Sequence, residues 1–248
     1  MQPSRLSRVP TPLSRWLGYR QGPPAKVTDY QIWFWSFVGA FCGISVLQAV
    51  FGQAEYFIGR GVPPIIASYG ASAVLIYGAI EAPLAQPRAL LGGHFIGALI
   101  GVCVTKLFLL LPTEERYLEL QWLAGSIACA TSIVVMQMTV TTHPPAGATA
   151  LLAATNKEVR DLGWYYLPVI LLSSSLALAV ALLINNIQRR YPTFWFQPAT
   201  PPQAQSLKSK PEHQELPELV SKPRKQSDTA SVLVTPVTRS GSATPVLV

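Results

Sequence analysis

TTHPPAGATALL, residues Thr141–Leu152, follows directly on one apolar run and leads into another. A histidine, two adjacent prolines and a glycine thus stand where a lipid-embedded chain most needs regular backbone hydrogen bonding. Irregular backbone at membrane depth is tolerated only where protein buries it or where it lines a polar cavity. If the flanking sequence crosses a membrane, the stretch predicts a broken helix at a protein-lined site.

The composition points to a membrane. Half of the 248 residues are hydrophobic and only 12% are charged, against roughly 25% in an average soluble domain. The net charge of +7 comes from the ends. Residues 1–30 carry five basic groups against Asp29, and residues 188–248 carry eight against four acids, whereas 31–187 hold six basic and seven acidic groups. A nucleic-acid binder spreads positive charge over a folded face. Here the charge flanks an apolar slab, so a lipid bilayer, not nucleic acid, is the expected partner.

Four uncharged or nearly uncharged runs, Ile32–Phe51 (20 residues), Leu90–Leu111 (22), Trp122–Val140 (19) and Tyr165–Ile187 (23), are long enough to span. The required length follows from a hydrocarbon core of about 30 Å and a rise of about 1.5 Å per residue. Pro64–Ile80, with 17 residues, is at the lower limit, and Pro145–Ala154, with 10, is too short alone. Trp33, Phe34, Trp35, Trp122, Trp164, Tyr165 and Tyr166 at the run ends suit interfacial anchoring. The basic ends predict both termini on the cytoplasmic, or equivalent inside, face of an unspecified membrane. An even number of crossings follows: six if both short segments cross, or four plus two re-entrant segments. The domain reading is a basic tail over 1–30, a membrane domain over 31–190 and a disordered tail over 191–248, with Pro112–Gln121 as an acidic outer loop. Cys42, Cys103 and Cys129 form no CxxC pair and read as small packing residues.

The short segments resemble each other. PPIIASYGASAVLIYGA (Pro63–Ala79) and PPAGATALLAATN (Pro144–Asn156) both open on a proline pair, and Gly70-Ala71-Ser72 aligns with Gly147-Ala148-Thr149. The fold expected is all-α, with two related halves of long helix, short proline-initiated helix and long helix, the second half inverted as in many secondary transporters. Proline suits a first turn, so each pair marks a helix start. The unpaired amides of Ala146, Gly147 and Ala148, at the electropositive end of a helix, would then receive a small anion. Pro144 and Pro145 frame that end, Gly70 and Ala71 its counterpart. Thr141, Thr142, Thr149, Ser68 and Ser72 add hydroxyls, and His143 adds a hydrogen bond or a proton. His94 is expected in the same cavity or at an interface, and Arg88 at the cavity mouth or in a loop ion pair with Glu81. Gly93, Gly97 and Gly101, like Gly39 and Gly43, read as ridges for close helix packing.

THPPAGATALLAA, together with PPIIASYGASAVLIYGA and EAPLAQPRALLGGH, resembles the HPP family of integral membrane proteins, over roughly residues 30–190. The His-Pro-Pro of that name is His143-Pro144-Pro145. The resemblance implies a multi-pass domain, usually described with four transmembrane helices, and nitrite transport, notably across plastid envelopes. The leading expectation is a transporter or channel for a small inorganic anion, without cofactor or metal, with proton coupling and a homo-oligomer left open. A membrane scaffold or sensor is the alternative. An enzyme is disfavoured, since DxxD, HExxH and GxSxG motifs are missing.

Overall fold

The computed structural model describes residues 10–19 and 27–196, and among these residues there are helices and connections but no strands. The elements are α1 (Thr11–Trp16), α2 (Asp29–Gln53), α3 (Glu55–Ile58), α4 (Ser68–Ala73, continuing as a π-helical turn over Val74–Gly78), α5 (Pro87–Phe108), α6 (Glu114–Met138), α7 (Pro144–Thr155), α8 (Lys157–Leu162) and α9 (Tyr166–Gln188). Four stretches are long and apolar enough to cross a membrane: α2, α5, α6 and the run Lys157–Gln188. The residue types at their starts explain the boundaries. Thr28 and Gln31 form a capping box ahead of α2, Pro87 occupies the first turn of α5, and the Thr113 side chain accepts from the Arg116 amide at the head of α6.

Large apolar side chains face outward: Trp33, Phe34, Phe37 and Phe41 on α2, and Trp122, Ile133, Val134 and Met138 on α6. Water would penalise such a surface, whereas lipid requires it. This is an integral, multi-pass membrane protein. Its interior is held by close backbone approach. Gly93, Gly97 and Gly101 of α5 lie against α7; a Cβ on Gly101 would stand 2.7 Å from the Ala150 carbonyl oxygen, and one on Gly97 would collide with that of Ala146. Gly39 and Gly43 of α2 receive the Tyr77 ring in the same way.

The contacts fix the directions of the short helices. Gly93 meets His143, Gly97 meets Ala146 and Gly101 meets Ala150, so α5 and α7 run parallel. The Tyr69 hydroxyl donates to the Ile170 carbonyl, and Asn185 Nδ2 donates to that of Ile76, so α4 runs parallel to α9. Ser68 sits beside Thr149 and Ser72 beside His143, so α4 and α7 are antiparallel.

Several expectations need correction. The Pro63-Pro64 pair does not open α4. A proline disfavours the helical conformation in its predecessor, and the first turn closes later, through Tyr69 N–H to Ile66 O and Gly70 N–H to Ala67 O. The stretch to Ile80 is not one helix either. It ends in the π-helical turn, whose carbonyls are taken from outside: Arg189 Nη1 donates to Tyr77 O at 2.9 Å and Asn185 Nδ2 to Ile76 O at 2.8 Å. Most of the supposed loop Pro112–Gln121 is the start of α6, because Thr113 caps it and Glu114 and Glu115 suit the positive helix end. The C-terminal tail does not start at 191. Tyr191 is fully buried, its hydroxyl donates to Ala85 O at 2.7 Å, and Trp195 Nε1 donates to Leu17 O. The readings placed on 1–9, 20–26 and 197–248 lie outside the described residues.

Candidate functional site

The chain leaves α6 through Val140, whose φ of 55° is unusual for a β-branched residue, and reaches α7 through an extended His143, φ −139°. The helix is thus broken where the prolines place the break, and His143 becomes the N-cap of α7 with Pro144 and Pro145 in its first turn. This conformation aims the imidazole away from α7 and towards α4.

A chain of buried hydrogen bonds begins there. His143 Nδ1 lies 2.8 Å from the Leu84 carbonyl oxygen, and His143 Nε2 lies 2.9 Å from Ser72 Oγ. Ser72 Oγ is 2.7 Å from His94 Nε2, and His94 Nδ1 is 2.8 Å from Thr149 Oγ1. Thr149 Oγ1 then donates to Ser68 Oγ at 2.8 Å. His94, His143, Ser72 and Thr149 are each 0% exposed. Aromatic rings wall the chain: Tyr69 stacks on His94 at 4.5 Å between centroids, and the two imidazoles meet edge to face at 4.9 Å. The Tyr166 hydroxyl donates to the Thr149 carbonyl. The elements act together. The Ser68/Ser72 spacing of four puts both hydroxyls on one face of α4, α5 carries His94 directly after Gly93 of the glycine ridge, and α7 supplies Thr149.

Five of the residues singled out from sequence therefore converge: Ser68, Ser72, His94, His143 and Thr149. Pro144 and Pro145 sit in the first turn of α7 as expected, while Thr141 packs against Gly92. Gly70, Ala71 and Ala148 face the outside, and Ala146 and Gly147 are buried against α5 and α6. Arg88 and Thr142 do not join the chain. They line a cavity of about 180 Å³ that also includes Leu84 and Phe196. Arg88 belongs to the first turn of α5, where its guanidinium donates to the Thr139 and Phe196 carbonyls, so it is not a loop partner of Glu81. Lys106 sits in the last turn of α5 and lines a separate cavity of about 440 Å³ with Glu114, Arg160 and Asp161.

The bare-amide picture of the anion site is also corrected. Prolines have no N–H, so the first two positions of α7 offer no donor. The third, Ala146 N–H, donates to His143 O at 2.9 Å. The two helix starts do not face each other across a pocket, because α4 and α7 lie side by side in opposite directions. The polar groups at the centre are side chains. Sequence reading missed Tyr69 and the Leu84 carbonyl, which orients His143, and it took Tyr166 for an interfacial anchor, whereas Tyr166 is fully buried with its hydroxyl on the Thr149 carbonyl.

An all-helical membrane domain with a buried histidine pair between two broken, opposed helices belongs among multi-pass membrane proteins. A sequence model of the family described as "HPP, transmembrane region" matches residues 25–192, and the chain belongs to that family. It is similar to a transmembrane protein of Dictyostelium discoideum, 35% identical over 185 residues, which cover 73% of this chain and 62% of the relative. It is also similar to a second transmembrane protein of the same organism, 36% identical over 185 residues, covering 73% and 56%. The chain thus spans about three fifths of the length of these curated relatives. No solved structure matches.

Proposed function

We propose that the protein is a transporter for a small inorganic anion, with nitrite the substrate that the family resemblance suggests. One observation carries the reading: a continuous chain of buried hydroxyls and imidazoles, with no acid or lysine among its hydrogen-bond partners, joins two short opposed helices at the centre of a lipid-facing bundle. Ionisable side chains at membrane depth are costly and mark substrate or proton pathways. Hydroxyl O–H and imidazole N–H groups are the donors that a compact anion needs, without a permanent buried cation that would hold it too tightly. In the arrangement described Ser72, Thr149 and the two imidazoles bond one another rather than a ligand, which is a closed state. An anion would enter by replacing the contacts of Ser72 with the two imidazoles. The π-helical turn below Ser72 supports such movement, since π-turns interrupt helices and cluster at functional sites. In this reading the opposed helices α4 and α7 are the short members of an inverted repeat with six membrane segments and both termini inside.

Nitrite uptake into proteoliposomes, compared with protein-free vesicles and with chloride as competitor, tests the proposal. Flux above the vesicle background, abolished in His143→Ala, is the expected result. Uptake indistinguishable from protein-free vesicles sinks the transporter reading; normal flux in His143→Ala removes the histidine from it.

A further inference from the structure

We infer that the chain from Ser68 to His143 is a proton relay, in which a proton taken up at the Ser68 end emerges as positive charge on His143 while His94 exchanges one tautomer for the other. The inference rests on the anion-transport reading only for what the proton is coupled to. The relay itself follows from counting hydrogens.

Five contacts join Leu84 O, His143, Ser72, His94, Thr149 and Ser68, all between 2.7 and 2.9 Å. At such distances each contact requires one hydrogen between its two heavy atoms. Leu84 O can only accept, so His143 always carries a hydrogen on Nδ1. With both imidazoles neutral, His143 Nε2 is bare and Ser72 O–H donates to it. Ser72 Oγ then accepts from His94 Nε2–H, the bare His94 Nδ1 accepts from Thr149 O–H, and Thr149 accepts from Ser68 O–H. Five hydrogens fill five contacts, and every donor points towards Leu84.

The Thr149–Ser68 contact has the geometry of the other polarity, with Thr149 as donor. If Thr149 donates to Ser68, then His94 Nδ1–H donates to Thr149, Ser72 donates to a bare His94 Nε2, and His143 must donate to Ser72 through Nε2–H as well as to Leu84 through Nδ1–H. All donors between His143 and Ser68 now point towards Ser68, and the chain holds one hydrogen more, as an imidazolium at His143. The two patterns interconvert by passing hydrogens along the chain, with the Ser68 side chain turning from acceptor to donor towards Thr149. A proton binds Ser68 Oγ; the former Ser68 hydrogen passes to Thr149, that of Thr149 to His94 Nδ1, that of His94 Nε2 to Ser72, and that of Ser72 to His143 Nε2. Each intermediate atom or ring forms one bond to hydrogen and breaks one, so the only net change is a positive charge on His143. Beyond Leu84 lies the cavity that Thr142 and Arg88 share, towards which the charge is delivered.

The titratable groups facing the relay are few. Tyr69 of α4 stacks on His94, Tyr166 of α9 donates to the Thr149 carbonyl, and Cys129 of α6 lies beside Gly147. Arg88 of α5 bonds the Thr139 and Phe196 carbonyls, and the Tyr191 hydroxyl bonds Ala85 O. None is an acid or base in hydrogen-bond contact with either imidazole.

The test uses the full chain with ¹⁵N-labelled histidine in lipid nanodiscs, titrated by NMR and assigned with His94→Gln and His143→Gln. The expected result is that His94 exchanges Nε2–H for Nδ1–H over the same pH interval in which His143 becomes doubly protonated. Ser72→Ala should abolish this exchange and Ser72→Thr should restore it. A His94 that keeps one tautomer while His143 titrates overturns the relay, and the wild-type titration decides this even if Ser72→Ala does not fold. Proteoliposome flux separates the two proposals. A tautomer exchange without nitrite flux keeps the relay and removes the anion. Nitrite flux that an inward proton gradient does not stimulate, with His94 fixed, keeps the anion and removes the relay.

Discussion

Replacing Thr149 by valine tests whether the central chain is an energetic unit or a by-product of packing. Thr149 Oγ1 lies 2.8 Å from His94 Nδ1, 2.8 Å from Ser68 Oγ and 3.5 Å from Pro145 O, in a site with 0% exposure. Valine fills nearly the same volume, so no cavity opens and the whole effect is polar. The Ser68 hydroxyl can rotate to another acceptor, whereas His94 Nδ1 is sealed and left unpaired. An orphaned buried group costs about 1–3 kcal/mol. Within membranes the unfolded reference also finds partners, and single interhelical bonds reach only about 1.7 kcal/mol. Thr149→Val should therefore destabilise by about 1–2 kcal/mol, roughly a 5–30-fold change in the folded ratio. Thr149→Ser keeps the hydroxyl and loses one methyl, about 0.8 kcal/mol. Equilibrium unfolding in mixed micelles, followed by tryptophan fluorescence, should rank wild type above Thr149→Ser and Thr149→Ser above Thr149→Val. In a His94→Phe background the valine should cost nothing further, because no orphan remains. A Thr149→Val protein as stable as wild type would refute the reasoning, since it would mean that apolar burial alone holds the centre.

Other substitutions report on separate parts of the fold. Gly97→Ala drives a methyl into the Ala146 carbonyl and should cost about 1–3 kcal/mol by overpacking, visible as a lower melting temperature in detergent. Gly70→Ala, with nothing within 4 Å of the new Cβ, should be neutral or stabilise by about 0.4–1 kcal/mol; a large loss there would mean that α4 is packed differently. Arg189→Gln removes a donor from Tyr77 O and should lower stability by about 1–3 kcal/mol, read in the same unfolding assay. In a background with Cys42, Cys103 and Cys129 replaced, single cysteines at Gly61 and Glu81 should label from opposite faces of the membrane. Labelling from the same face would make α4 a re-entrant segment and exclude six crossings.

What could be read from sequence, and what could not, divides along a physical line. The long spans follow from apolar length alone, and the break at His143 follows from proline chemistry, which is local. That α5 closely approaches another helix was legible in Gly93, Gly97 and Gly101, because only small residues permit such contact; that the partner is α7 emerges only from the fold. The match of Gly70-Ala71-Ser72 to Gly147-Ala148-Thr149 placed Ser72 and Thr149 at related positions, and both contact His94. The Pro63-Pro64 pair misled, because prolines both start helices and keep preceding residues extended, and only tertiary packing chooses between these outcomes.

The amide-end picture failed for a reason already in the sequence. Two prolines in the first turn delete the very donors that a helix start would present, so the proline pair argues against a backbone anion site at that end. That inversion changes what the His-Pro-Pro run is for. Pro144 and Pro145 fix the start of α7 without leaving buried N–H groups that need partners, and they hold His143 extended, its imidazole turned towards Ser72. The prolines thereby let a histidine reside at membrane depth with both ring nitrogens bonded, one to a carbonyl and the other to a hydroxyl shared with His94.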